Sequence, residues 1–269
     1  VVGWRFGGNI MVTGLGLGIA ASGHQAVAGF TGLTAVDPNN SYFLSLDGGT
    51  AIGSGTSADF TFAFWLKNLA ETDTGTLARI EGPGTDIIFI NNNTATGKLR
   101  FGVLDGGWDI DLTIDISDIQ GDNNWHHFVY SRDGSASTHH WYVDGSSRTI
   151  TVGSSRNNYG AVISFGTYQD VFILSETNGG GNLCDTPITQ LFIADEYYNI
   201  TVAGTLDKFY DGGAVDMGTD GTSSGLNQPE LFFTGDTSTF NTNGGSLSIS
   251  MTTNGTGVDV TAANGPQPA

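Results

Sequence analysis

Residues 124–145 constrain the fold more than any other stretch. They read Asn-Trp-His-His-Phe-Val-Tyr-Ser-Arg-Asp-Gly, then Ser-Ala-Ser-Thr-His, then His-Trp-Tyr-Val-Asp-Gly. Residues 125–131 and 140–143 are short runs rich in aromatic and β-branched side chains. Each is followed by an Asp-Gly pair, which tolerates the positive φ values of tight turns. The pattern predicts two adjacent antiparallel strands.

Composition points the same way. Gly accounts for 41 of 269 residues, and the five glutamates leave 22 of the 27 acids as Asp. Asp and Gly serve turns, whereas Glu, Lys and Ala would dominate a helical chain. Cys184 is the single cysteine, so no intrachain disulfide forms and the core must come from apolar burial, for which the length is ample. A net charge of −18 repels polyanions and so argues against nucleic acid and anionic membrane as partners. The longest apolar stretch, residues 10–21, is interrupted by Gly14, Gly16 and Gly18 and is too short for a membrane helix. It suits a strand or a buried arm. A start at Val1 rather than Met suggests a processed N-terminus.

Strand signals recur at the short spacing of a sandwich. Residues 60–67, Phe-Thr-Phe-Ala-Phe-Trp-Leu-Lys, alternate large aromatics with other residues and predict a strand with one strongly buried face. Residues 109–116 alternate Asp or Thr with Ile or Leu, giving one wet and one dry face. Residues 188–194 read as the last strand of the core. Residues 205–210, followed by Gly212 and Gly213, are the best helix candidate. Residues 246–260 predict one more strand, and only residues 264–269 look loose.

The order Trp125-His-His, Arg132-Asp-Gly, then Trp141-Tyr-Val-Asp-Gly resembles the LamG-like (laminin G, concanavalin A-like) jelly roll. The resemblance implies an all-β fold: a two-sheet antiparallel jelly-roll sandwich with one short helix and extra N- and C-terminal strands. It divides the chain into a Gly-rich apolar N-terminal arm (1–40), a LamG-like domain (41–212) and a C-terminal extension packed on the sandwich (213–269). The segment after the helix is similar to those found beside LamG-like domains in virion proteins of tailed bacteriophages. The implied function is a non-enzymatic virion structural protein, a capsid decoration, spike or tail appendage subunit at the virion surface. Its partners would be other virion proteins or copies of itself. The alternative is a carbohydrate-binding adhesion module recognising a surface glycan, such as one on a host.

Candidate chemistry is sparse. LamG-related glycosidases place two Glu and an Asp at two-residue spacing on one strand, whereas Glu71, Glu81, Glu176, Glu196 and Glu230 are scattered. No catalytic residue is assigned. Neighbouring strand residues face opposite sides, so His126-His127 and His139-His140 bring at most one His per pair to a common face. They read as hairpin residues packed beside Trp125 and Trp141, and no metal site is assigned. No cofactor motif is present; Ca2+ is compatible with the Asp-rich turns but has no specific motif. For a glycan, the candidate residues are Asp105, Trp108 and Asp109, where a Gly-rich turn can present an indole between two carboxylates.

Overall fold

The computed structural model describes residues 30–47, 56–67, 75–82, 87–93, 96–104, 108–157, 163–164, 170–177, 180, 182–247 and 249–269. The strands of its first half are β1 (Ala35–Asp37), β2 (Phe43–Asp47), β3 (Thr56–Ser57), β4 (Phe60–Lys67), β5 (Thr76–Glu81), β6 (Ile87–Asn93), β7 (Lys98–Leu104) and β8 (Trp108–Asp115). They continue with β9 (Trp125–Asp133), β10 (Thr138–Val143), β11 (Ser146–Ser147), β12 (Ile150–Asn157), β13 (Ile163–Ser164), β14 (Asp170–Ile173) and β15 (Ile188–Ala194). A short helix, α1 (Ala203–Leu206), precedes β16 (Leu231–Phe233), β17 (Thr252–Asn254) and β18 (Val258–Val260). Among the described residues no helix is long and apolar enough to cross a membrane.

Two antiparallel sheets face each other. The first runs β11-β10-β9-β4-β15-β1-β18, with β16 beside β1 on the same edge of β15; the second runs β12-β8-β7-β6-β5-β14-β2-β17. This is the expected all-β sandwich, with extra strands from both flanking segments. The expected hairpin is β9–β10, with His140 opposite Ser131 and Trp141 opposite Tyr130. At Asp144-Gly145, φ is 48° and 71°, the doubly positive turn that the Asp-Gly pair announces.

Inward residues of β4 and β9 meet β7 across the gap. Phe62 stacks on Tyr130 at 4.9 Å between ring centroids, lies 5.2 Å from Phe101 and meets Trp141 edge-on at 5.6 Å. Such pairs add about 0.5–1.5 kcal/mol each beyond the burial of their area. The outward face of the first sheet is also dry. Ala63, Val129, Phe192 and Ala194 pack under Ile200, Phe209, Met217 and Leu226, so the segment after β15 forms a third layer. That covering explains why β15 is buried along its whole length.

Four details depart from the sequence reading. Strand β15 is interior to its sheet rather than the last element of the core, because β16, β17 and β18 join the two sheets after it. The helix begins earlier than expected, because the first turn closes on Val202, which accepts bonds from Thr205 and Leu206; turns then carry the chain to Tyr210. Residues 246–260 give two strands rather than one, because the chain crosses from the second sheet at β17 to the first at β18. Gly255 makes that crossing at φ 70°, and a Cβ there would sit 2.0 Å from the Ser41 carbonyl. Residues 264–269 are tied down. Leu33 N–H donates to Pro266 O at 3.0 Å, Ala214 N–H to Gln267 O at 2.7 Å and the Trp125 indole to Asn264 O at 2.8 Å.

Glu230, just before β16, accepts the Asp195 N–H at 2.7 Å. Burial, then the hydrogen bond to the Asp195 side chain, pushes its carboxyl up to about 7. A carboxyl held above its ordinary 4.5 favours the fold while protonated, so stability falls as pH rises from about 4.5 through 7. Glu230→Gln keeps both hydrogen bonds without the charge. It is expected to stabilise the protein by about 1–2 kcal/mol at pH 8, and not at pH 4, once solvent screening is allowed for. Urea melts at the two pH values check this.

Candidate functional site

Among the described residues, the outward face of the second sheet carries no layer like the one that residues 200–226 form on the first. The inward row, Ile80, Ile88, Ile90, Phe101, Val103, Ile110 and Leu112, belongs to the core, so the intervening residues Arg79, Phe89, Asn91, Arg100, Leu104 and Asp111 face out. With Thr76, all of these but Asp111 line a groove of about 250 Å3 over β5, β6 and β7, closed at one side by Glu176 from the loop after β14.

Phe89 is the floor. It is 8% exposed although it sits on the solvent side of its strand, because the Arg100 guanidinium lies 5.4 Å above its ring centroid. Asp111 orients Arg100 by accepting its Nε–H at 2.7 Å. Room for that carboxylate comes from Gly153 on β12, where a Cβ would fall 2.2 Å from Asp111 Oδ2. Arg79 donates to Glu176 at 2.8 Å and pairs with Glu81; Glu176 is held in turn by the Asn182 amide. At the other end Thr76 Oγ1–H donates to Asn91 Oδ1 at 3.4 Å. The result is an aromatic ring and an aliphatic side chain surrounded by guanidinium, amide, hydroxyl and carboxylate groups whose charges are paired within the groove. Such a surface can stack an apolar ring face and hydrogen-bond its hydroxyl edge.

Of the three residues predicted for a glycan, Asp105 and the side chain of Trp108 lie outside the described residues. The Trp108 backbone opens β8 opposite Leu104, across a register shift, and so adjoins one end of the groove. Asp109 is half-buried, and its charge acts on the buried Arg132 of β9. Burial lowers the Arg132 pKa, against the charges of Tyr130, Asp59 and Asp109. The sequence reading missed Arg79, Phe89, Asn91, Arg100 and Glu176. The one available signal was two arginines on β5 and β7, either side of β6, in a chain with only nine basic residues.

The hairpin histidines take opposite faces. His126 bridges two carboxylates, with Nδ1 at 2.6 Å from Asp144 and Nε2 at 3.0 Å from Asp122. Burial opposes its charge, but Asp144 and Asp122 outweigh it and raise the pKa. His127 is buried on the other side, its ring 5.1 Å from Trp65 and 5.6 Å from Tyr210 rather than beside Trp125 and Trp141. Burial pushes it down to about 3. His139 Nδ1 meets the Tyr130 hydroxyl at 2.5 Å. Among the described residues no group of three or more His, Cys, Asp or Glu side chains is arranged to hold a metal ion.

Two solved structures are similar to this chain at low identity. The native heptameric SAP-like pentraxin from Limulus polyphemus is 13% identical over 86% of this chain and 95% of its own, with a TM-score of 0.48. A "putative carbohydrate binding protein" from Bacteroides ovatus ATCC 8483 is 14% identical over 88% of this chain, with a TM-score of 0.54. The match spans 62% of the Bacteroides chain, so the likeness is one of fold over part of a larger protein. No curated protein matches the sequence. A family model for laminin G-like domains matches residues 37–191, more than half of the chain, and the protein therefore belongs to the concanavalin A-like lectin/glucanase superfamily.

Proposed function

We propose that the protein is a non-catalytic carbohydrate-recognition module that holds a glycan in the groove over β5, β6 and β7. The observation that carries this is the Arg100–Phe89 platform in the groove on the outward face of the second sheet. Arg100, lying over Phe89, presents its guanidinium to a pyranose beside the apolar Leu104, while Arg79, Asn91 and Glu176 supply hydrogen bonds to its hydroxyls. Internal pairing of the charges suits a neutral sugar better than a sulfated or sialylated one. Asp105, Trp108 and Asp109 are proposed as further contacts to the same glycan, because the Trp108 backbone pairs with Leu104 at one end of the groove. The fold shared with the Bacteroides protein gives further support.

A glycan array tests the reading. Saturable binding to neutral glycans is expected, reduced about tenfold or more by Phe89→Ala and by Arg100→Ala, and also reduced by Trp108→Ala. A blank array, with and without Ca2+, overturns it.

A second reading makes the module a bacteriophage virion subunit, a capsid decoration, spike or tail appendage, with the chain divided into an arm (1–40), the LamG-like domain (41–212) and an extension (213–269). It is favoured by the attachment of the lead-in to the sandwich. Leu33 bonds to Pro266 and β1 is inserted between β15 and β18, so the preceding apolar, Gly-rich residues are tethered to a fixed point on the body. Removing residues 1–29 should abolish self-assembly or particle incorporation while leaving the sandwich folded. Unchanged assembly in sedimentation overturns this reading.

A further inference from the structure

A second groove opens at the far side of the molecule, where the outward side of the first sheet meets the C-terminal segment. Its volume is about 370 Å3, within the range of roughly 300–1,000 Å3 typical of small-molecule sites. Its walls come from distant parts of the chain: Trp65 from β4, Asn124 and Trp125 at the start of β9, Asp144 from the turn after β10, Tyr210 after α1 and Gln267 near the C-terminus.

Three observations point to a ligand. The walls are rigid before anything binds. The Trp125 indole is tied to Asn264 O, Asp144 is held by His126 Nδ1 and the His127 N–H, and the Gln267 amide donates to Ala262 O and Gly265 O. Polar capacity facing the groove is unspent, since the Tyr210 hydroxyl and Gln267 Oε1 make no hydrogen bond to a described residue. Finally, Trp65, which lines the groove, is 4% exposed, and its Nε1–H is buried without a hydrogen-bond partner among the described residues. A buried donor left unpaired costs about 1–3 kcal/mol.

We propose that this groove binds a neutral hexopyranoside, independently of the groove on the second sheet. The C–H face of the sugar packs on Trp125 and Tyr210. Its hydroxyls donate to Asp144 and Gln267 Oε1 and accept from the Tyr210 hydroxyl. A cationic ligand fits less well, because the Asp144 charge already faces His126 at 2.6 Å. With both grooves occupied, one molecule crosslinks two glycan chains.

The test follows the indole N–H resonances of Trp65 and Trp125 in the full chain while methyl glucoside, methyl galactoside and methyl mannoside are added in turn to millimolar excess. At least one glycoside should shift both resonances saturably. Tyr210→Phe, which keeps the ring and removes a hydroxyl that bonds to no described residue, should weaken that binding about tenfold. Arg100→Ala should leave it unchanged, which separates this site from the first groove. Unmoved indole resonances with all three sugars, or shifts insensitive to Tyr210→Phe, overturn the proposal.

Discussion

Phe62→Ala is expected to destabilise the protein by about 3–5 kcal/mol, the cost of deleting a buried ring and leaving its cavity. Phe62 is wholly buried and touches rings from both sheets, with Phe60, Phe64, Tyr130 and Trp141 on its own side and Phe101 opposite. The neighbouring side chains are themselves large and pinned, so they cannot collapse into the space. For a chain of this size the midpoint of thermal unfolding should fall by roughly 10 °C. Thermal and urea melts followed by circular dichroism give the number. A loss below about 1 kcal/mol would mean that the sheets close over the gap.

Acid should open the same fold through His127. Its imidazole protonates near 6.5 in the unfolded chain but only at about 3 in the fold, because no water reaches it. Between those values the unfolded state takes up a proton that the folded state refuses. Stability from this group is therefore complete above pH 6.5 and is lost as pH falls toward 3, by at most about 4–5 kcal/mol. His126 behaves in the opposite sense. Its raised pKa gives stability that is complete below 6.5 and is lost as pH rises through the folded value. His127→Phe fits among Trp65 and Tyr210 and removes a buried Nδ1 that has no hydrogen-bond partner among the described residues. The variant should match the wild type at pH 7 or exceed it, and at pH 4 it should be the more stable by about 2–3 kcal/mol. Equal slopes of urea midpoint against pH in the two proteins would place the acid sensitivity elsewhere.

Local chemistry made the hairpin and the sandwich legible. Phe60, Phe62 and Phe64 alternate with Thr61, Ala63 and Trp65, and Asp144-Gly145 reports its own backbone geometry. Strand β8 was equally readable, because Asp109, Asp111 and Thr113 mark the wet face directly. What stayed hidden depends on packing from far along the chain. Nothing in Ala63 or Val129 says that Ile200, Phe209 and Met217 will cover them. The register shift in β15 is made by Gln190 at φ 49°, a side chain held by the Val215 carbonyl at 2.8 Å, with no glycine to announce it. The first groove was illegible for a related reason. Phe89 sits in the run Ile-Ile-Phe-Ile, where alternation gives no contrast, and its solvent-side placement follows only once β5 and β7 are paired on either side of it.

The crossing at Gly255 also governs when the molecule can finish folding. Strand β2 waits for β17 and strand β1 for β18, and Ser41 bonds to Thr256 across a sequence separation of 215 residues. Closing loops of that length is entropically slow. Until β17 and β18 have paired, β2 and β1 leave open edges on the two sheets, each able to pair with a neighbouring copy. Strands β17 and β18 thus act as a seal on both sheets, and crowding during folding should lower the yield of folded protein.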